Sequence, residues 1–415
     1  MQDKMGDILV NEERLWASLM DMAKIGATPA GGVCRLTLTD LARESRDLFI
    51  TWCEEAGCMT HFDAVGNIFA RRPGTDEMRP PVMTGSHLDT QPTGGKFDGT
   101  YGVLAGLEVI RTLNEHGIET IAPLEVAVWT NEEGCRFTPS MSGSGVFSGV
   151  YDLDYVLARK DETGTTIGAE LKRIGYAGAS HPGGRAITAY LEAHIEQGPI
   201  LEAEKTTIGV VAGGQGKRSY EITVCGQEAH AGTTPMSLRR DALQGAVHMI
   251  AGVDRIALDN APQAVCTVGM VSVKPNSRNT IPGTAFFSAD IRHPDKETLD
   301  TMDAEFRGIC DKISRTMSLS VDVIEVSRYE PVNFDGTCIT AVRSAARRLG
   351  YSHRDIVSGA GHDACYLARA APAGMIFIPC ENGISHAEIE YATPTDAAAG
   401  CNVLLYAMLD FAGRN

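Results

Sequence analysis

Three observations predict an α/β protein in two parts: a domain of mixed sheet flanked by helices, interrupted by a smaller ferredoxin-like insertion. The chain has 415 residues, well beyond the roughly 250–300 at which a single hydrophobic core stops growing. From Asn11 to Trp129, short apolar strands alternate with amphipathic helices, the rhythm of an α/β layer. From about Val210 to Val326 the order changes to β-α-β-β-α-β, that of a split βαβ unit. The boundaries read from these patterns are 1–209 and 327–415 for the outer domain and 210–326 for the insertion.

The elements follow from their periodicity. Leu15, Leu19 and Met22 recur at helical spacing between Asn11 and Lys24, and a second helix spans Thr37 to Glu55, capped near Thr39 and Asp40. Residues 66–70 and 82–84 read as short buried strands. Val103, Leu107 and Ile110 define a helix from Tyr101 to Glu115, stopped before Gly117. Leu124 to Trp129 is a strand that delivers Glu132 and Glu133 just past its C-terminal end, where α/β proteins collect their sites. In the insertion, Tyr220, Ile222 and Val224 alternate as a strand. Leu238, Ala242, Leu243, Ala246 and Ile250 form a helical stripe, with Thr234 a candidate cap ahead of Pro235. Strands near 268–273 and 286–291, a helical stripe at Phe306, Ile309, Ile313 and Met317, and a strand at 321–326 complete it. Beyond lie a helix at Thr340–Leu349, a buried strand at Ala373–Pro379 and a helix at Pro394–Ala412.

Composition narrows the function classes. Hydrophobic residues at 43% and charged residues at 22% are ordinary for a soluble globular protein. A formal net charge of −16 opposes nucleic-acid or anionic-membrane partners, which want a basic face. Eleven cysteines, an odd number with no C-x-x-C pair, read as reduced thiols. Met1 to Asn11 lacks the basic-then-apolar pattern of a signal peptide. No apolar run approaches the ~18 residues of a membrane helix. The expected location is the cytoplasm.

The chemistry sits between Gly85 and Gly134: Gly85-Ser86-His87-Leu88-Asp89-Thr90, Phe97-Asp98-Gly99 and Thr130-Asn131-Glu132-Glu133-Gly134. Together they offer an imidazole, a glycine-flanked carboxylate suited to bridging two ions, and an adjacent carboxylate pair. In an extended segment Asp89 shares a face with His87 and can orient its ring; the plainer alternative is an unrelated, solvated aspartate. Glu132-Glu133 is either a charged surface pair or one metal ligand beside one general base, since two such carboxylates repel unless a cation or proton compensates. In Glu192-Ala193-His194-Ile195-Glu196-Gln197-Gly198-Pro199, the residues Glu192, His194 and Glu196 face one way, toward a ligand or, on an edge strand, toward solvent. His230, in Gly226–Pro235, is either a loop hydrogen-bonding residue or an electrophile; spacing does not decide. Arg292, on an otherwise apolar strand, suits a structural ion pair or a substrate carboxylate. A second ion needs another imidazole, for which His386 is the better candidate and His362 a hydrogen-bonding support. No G-x-S-x-G elbow appears, and Cys135 beside the carboxylates would be a poor nucleophile.

In this order, GSHLDTQPTGGKFDG, WTNEEG, HIEQGP, HAGTTPM, SGAGHDA and NGISH resemble the hydantoinase/carbamoylase-type amidases: N-carbamoyl-L-amino-acid hydrolase, β-ureidopropionase and allantoate amidohydrolase. These lie within the dinuclear-metal carboxypeptidase and aminoacylase superfamily, and the resemblance runs over essentially the whole chain. It implies two divalent ions per subunit, zinc first and manganese, cobalt or nickel as alternatives. One ion would be held by His87, Asp98 and His194 and the other by Asp98, Glu133 and His386. It makes Glu132 the base acting on water, with Asp89 supporting the catalytic group. His230, reaching over from a partner subunit, would polarise the carbamoyl oxygen. Gln197, Asn279 and Arg292 would grip a ureido substrate, Arg292 on its carboxylate. The insertion corresponds to the family's lid and dimerisation domain, implying a homodimer. Ala387 departs from the asparagine many relatives carry after the last histidine. The Gln91-Pro92-Thr93 and Trp129-Thr130-Asn131 segments look closer to carbamoylases and ureidopropionases than to allantoate enzymes. Allantoate hydrolysis is the nearest rival, and peptidase or aminoacylase activity a more distant one.

Overall fold

The structure, a computed structural model, describes residues 8–414. The N-terminal stretch considered above for a leader lies, up to Asp7, outside the described residues. Among those described, no helix is long and apolar enough to cross a membrane. The strands, in chain order, are β1 Met59–Phe62, β2 Ile68–Arg72, β3 Val82–His87, β4 Leu124–Trp129, β5 Ala189–Ile195, β6 Ile208–Gly214, β7 Gly216–Cys225 and β8 Ala229–His230. They continue with β9 Val265–Thr267, β10 Val271–Lys274, β11 Thr280–Ile281, β12 Thr284–His293, β13 Ser320–Tyr329, β14 Val332–Asn333, β15 His353–Ser358 and β16 Ala373–Ile378.

The chain divides into two compact units: one reaches Gly213 and resumes at Asn333, the other runs Gly214–Val332. Both boundaries fall a few residues later than the 209/210 and 326/327 read from the sequence. The reason is that β6 pairs within the larger sheet, while β13 continues to Tyr329 beside β7.

In the larger unit, nine strands form a mixed sheet in the order β1-β2-β4-β3-β5-β16-β6-β14, with β15 also on β6. The central strands β4, β3, β5 and β16 are mutually parallel. All four are buried along their whole length. A strand covered on both faces is mostly apolar, and among the exceptions Ser86 and His87 in β3 and Glu192 and His194 in β5 are buried at the end where the site lies. The order β4-β3-β5-β16 reverses direction at β3, so a switch point opens at the C-terminal ends of β3 and β5. The β3–β5 pairing stops at Thr84 and Leu191, short of His87 and His194.

The closing helix Pro394–Ala412 is buried nearly all round, as an element flanked by sheet and helices must be. Thr393 caps it, accepting from the Asp396 N–H, and Pro394 opens it; these signals are local, so the sequence placed both ends. The strand predicted at 66–70 begins at Ile68, not Gly66, and is preceded by β1. Gly66 and Asn67 instead close a turn in which the Asp63 carboxylate accepts the Asn67 N–H at 2.9 Å.

The smaller unit has the predicted split βαβ order. Its sheet runs β10-β12-β7-β13, all antiparallel, the arrangement of a ferredoxin-like fold. Ala285, Phe287, Ala289 and Ile291 alternate inward on β12 and pack with Ala246, Met249 and Val253 of helix Ala242–Asp259 and Met302 and Phe306 of helix Lys296–Met317. Two details differ from the sequence reading. The strand expected at 268–273 is broken into β9 and β10. The first helix starts at Ala242 because Asp241, not Thr234, caps it by accepting from the Leu243 and Gln244 N–H groups. That leaves Leu238 on a short 3-10 turn, 72% exposed.

Candidate metal centre

Four parallel strands deliver the predicted ligands to one place. His87 ends β3, Glu132 and Glu133 follow β4, His194 lies near the end of β5, and His386 follows β16. Asp98 sits in the loop between β3 and helix Thr100–Glu115. Gly99 turns the chain there with φ +63°, and a Cβ on it would lie 2.3 Å from His87 Nε2. Only glycine lets the Asp98 carboxylate approach the imidazole this closely.

Asp98 is the hub. Its Oδ1 lies 3.6 Å from His87 Nε2 and 3.2 Å from His194 Nε2. Its Oδ2 lies 3.2 Å from His386 Nε2, which is itself 3.7 Å from Glu133 Oε2. Two triads thus share one carboxylate, each with its ligand atoms within 4.8 Å of one another. His87 Nδ1 lies 2.8 Å from the Asp89 carbonyl and His194 Nδ1 2.9 Å from the Ile195 carbonyl. A carbonyl only accepts, so each Nδ1 carries a proton and each Nε2 is turned toward Asp98. Imidazole nitrogens facing carboxylate oxygens at such distances need positive charge between them, as protons or as metal ions. This donor set fits divalent ions.

The electrostatics agree. Burial depresses the His87 and His194 imidazoles, but Glu132, Asp98 and Asp89 around the first and Asp98 beside the second outweigh it and raise both. Hydrogen bonding to Asp98 raises His386. Burial works to raise Asp98, yet the three imidazoles hold it well below the usual carboxylate range. Burial, with Asp363 and Glu133 nearby, pushes Glu132 well up, and burial with Asp98 pushes Glu133 to about 7. Without ions, protons must supply the missing positive charge.

Glu132 Oε2 stands 3.5 Å from His87 Nε2, beside both triads and a member of neither. Asp89 corrects the sequence reading. Its carboxylate does not hydrogen-bond the His87 ring, lying 4.0 Å from Nδ1; its main-chain carbonyl does. The carboxylate instead accepts the Glu132 and Glu133 N–H groups, both at 3.3 Å, because the Thr130–Gly134 turn brings them over it. Asp89 therefore fixes the carboxylate pair.

A third cluster, Glu192, His194 and His362, is already satisfied. Glu192 accepts from Ser86, Tyr190 and the Ala364 N–H. His362 Nε2 pairs with Ser358 Oγ at 2.8 Å, and its ring stands edge-on behind His194 at 4.5 Å. The strand β5 that carries Glu192 and His194 is central, which excludes the solvated-edge alternative for this segment. Glu196 departs from the shared face: it caps the next turn, accepting the Ile200 and Leu201 N–H groups.

The profile of peptidase family M20/M25/M40 matches residues 83–410. The chain belongs to this family. An N-carbamoyl-L-amino-acid amidohydrolase of Rhizobium meliloti is 51% identical over 403 residues, 97% of each chain. An allantoate amidohydrolase of Bacillus subtilis is 34% identical over 92% of this chain and 93% of its own. The crystal structure of an amidase of the hydantoinase/carbamoylase family from Burkholderia multivorans aligns with a TM-score of 0.96 at 60% identity, covering 98% of both chains. The resemblance read from the motifs holds.

In this M20-family chain the expected substrate residues fall in both units. Gln197, in the larger unit, donates to Asp98 Oδ2 at 2.9 Å and to Ser385 Oγ at 3.1 Å. His230, Asn279 and Arg292 belong to the smaller unit. The short β8–β11 pair sets His230 opposite Thr280, and the Asn279 carbonyl accepts the Ala231 N–H at 2.9 Å. His230 Nδ1 accepts from the Gly232 and Thr233 N–H groups at 3.0 and 3.3 Å. Backbone N–H groups only donate, so a neutral His230 holds its proton on Nε2, ready to donate outward. Arg292 makes the ion pair that its strand setting favoured, Nε to Asp290 Oδ1 at 2.6 Å, on the face of β12 opposite the packed side chains.

Several supporting residues escaped the sequence reading. Gln91 donates to Glu133 Oε2 at 2.6 Å. Arg35, 1% exposed, reaches the Leu88, Met22 and Ile25 carbonyls and Thr100 Oγ1, bracing both ends of the His87–Asp98 segment. Asn67 and Arg46 hold Thr130. None carries a local signal, since each partner is distant in sequence.

Proposed function

We propose that the chain hydrolyses N-carbamoyl-L-amino acids to the free amino acid, carbon dioxide and ammonia. His87, Asp98 and His194 would hold one divalent ion, and Asp98, Glu133 and His386 the other. The observation that carries this reading is the convergence of three imidazole nitrogens on both oxygens of Asp98, with Glu132 alongside. The carbamoyl substrate is supported by the 51% identical relative.

Bound in pairs, such ions acidify water and polarise a carbonyl. Glu132, its proton affinity raised by burial and neighbouring charge, takes a proton from water and passes it to the leaving amino-acid nitrogen. Water oxygen joins the ureido carbon, the bond to that nitrogen breaks, and the carbamic acid released falls apart to carbon dioxide and ammonia. His230 donates from Nε2 to the ureido oxygen, Arg292 pairs with the substrate carboxylate, and Gln197 and Asn279 complete its binding. Zinc is the proposed ion, with manganese, cobalt and nickel suited to the same donors. A cytoplasmic homodimer, with His230 supplied by the partner subunit, is proposed on the family resemblance.

The test is a substrate panel run after chelation and after reloading with each ion. It spans N-carbamoyl-L- and D-amino acids, N-carbamoyl-β-alanine, allantoate and dipeptides. Metal-dependent turnover of the L-carbamoyl compounds is expected. Faster turnover of allantoate would reassign the substrate, and full activity after chelation would refute the reading.

A further inference from the structure

Glu390 lies outside both ligand triads, yet is 3% exposed and has all its hydrogen-bond partners in the loops that carry them. Its Oε1 accepts the main-chain N–H of Phe97 at 3.0 Å and of Asp98 at 3.1 Å. Its Oε2 accepts from Ser385 Oγ at 2.7 Å, and Ser385 immediately precedes His386. Ser385 in turn accepts from Gln197 at 3.1 Å and lies 3.4 Å from Asp98 Oδ2. The contact is tight: a Cβ on Gly95 would lie 2.0 Å from Glu390 Oε1.

A second carboxylate buried so near Asp98 is electrostatically unfavourable, which argues that it does something packing alone does not. Packing of the two loops has its own basis, because the Phe97 ring stands edge-on to Tyr391 at 6.0 Å and stacks on Trp16 at 5.5 Å. What Glu390 adds is direction. It fixes the backbone from which the shared carboxylate projects, and fixes the residue beside the only exposed imidazole of the two triads. We propose that Glu390 is a positioning residue that sets the Asp98 carboxylate and ties its loop to the His386 loop, so that both ions are held together. This rests on the two-ion reading above.

The test compares E390A and E390Q with wild type in the full chain by zinc titration against a competing chelator, the visible spectrum of the cobalt-loaded protein, and steady-state kinetics. For E390A, loss of an orienting partner should weaken one zinc site and lower kcat by about 10–100-fold, with KM within about threefold. E390Q keeps an oxygen for both N–H groups and should recover most of both losses. Wild-type zinc binding in E390A, a change confined to KM, or an E390Q as impaired as E390A would overturn the proposal. If E390A fails to fold, E390D decides, since it keeps the charge while drawing the carboxylate back from the Phe97 and Asp98 N–H groups and from Ser385. A weakened zinc site and altered cobalt spectrum are expected, and unchanged values overturn the proposal. Wild-type chain binding fewer than two ions would overturn the two-ion reading itself.

Discussion

Glu132 and Glu133 are chemically identical neighbours given different work by their surroundings. Glu133 faces His386 and Asp98, whereas Glu132 faces His87 from outside both triads. Glu132→Gln should therefore keep both ions while turnover falls by several orders of magnitude, near 10³–10⁴-fold or more; near-normal kcat would remove Glu132 from the role. Arg35 makes a stability case. Replacing it with alanine strands the Leu88, Met22 and Ile25 carbonyls, at about 3 kcal/mol or more, read by urea unfolding; a loss below about 1 kcal/mol would show that water replaces it. The pH dependence has a definite sign. Glu132 and Glu133 titrate above their ordinary 4.5 in the native chain, and His87, His194 and His386 above 6.5. Without ions the folded state thus holds protons that the unfolded chain has released, so its stability falls as pH rises between about 5 and 8. Asp98, held below its ordinary 3.8, contributes stability lost only in stronger acid. Ions compete with these protons, so the Tm gained on zinc loading should widen across the same window. A metal-free Tm that climbs with pH there would contradict the assignment.

At the scale of elements, legibility followed locality. Strands β3, β4 and β16 announced themselves by short apolar runs and helix Pro394–Ala412 by its apolar stripe, whereas β5, with Glu192 and His194 in it, left an edge strand open. Glycine-rich turns around His87, Asp98 and Glu133 marked the ligands because tight turns need those glycines. What stayed hidden depends on partners far along the chain. Glu390 meets Phe97 and Asp98, and Arg35 meets Thr100, with no periodicity to betray them. Asp89 was found but misread, since sequence spacing does not tell a side-chain contact from a main-chain one. Gly99→Ala probes the strand-to-helix turn itself. Its Cβ would displace the His87 ring, so zinc affinity should fall at least tenfold while far-UV circular dichroism stays unchanged. Wild-type zinc binding in that variant would show that the turn relaxes freely.

On the scale of the whole molecule, a larger unit holds the complete ligand set and a smaller one carries His230, Asn279 and Arg292. The insertion was visible as a change of rhythm, and its limits were misplaced because β6 and β13 run on past the pattern. Arg292→Ala should chiefly raise KM for a carboxylate-bearing substrate; an unchanged KM would remove Arg292 from substrate binding. The central claim is that one aspartate joins two ion sites. Ion content per chain, measured by plasma mass spectrometry after chelation and zinc reloading, tests it most directly in wild type and Asp98→Asn. A pair of ions is expected in wild type and loss from both sites in the variant. A single ion in wild type, or a full pair retained by Asp98→Asn, would contradict it.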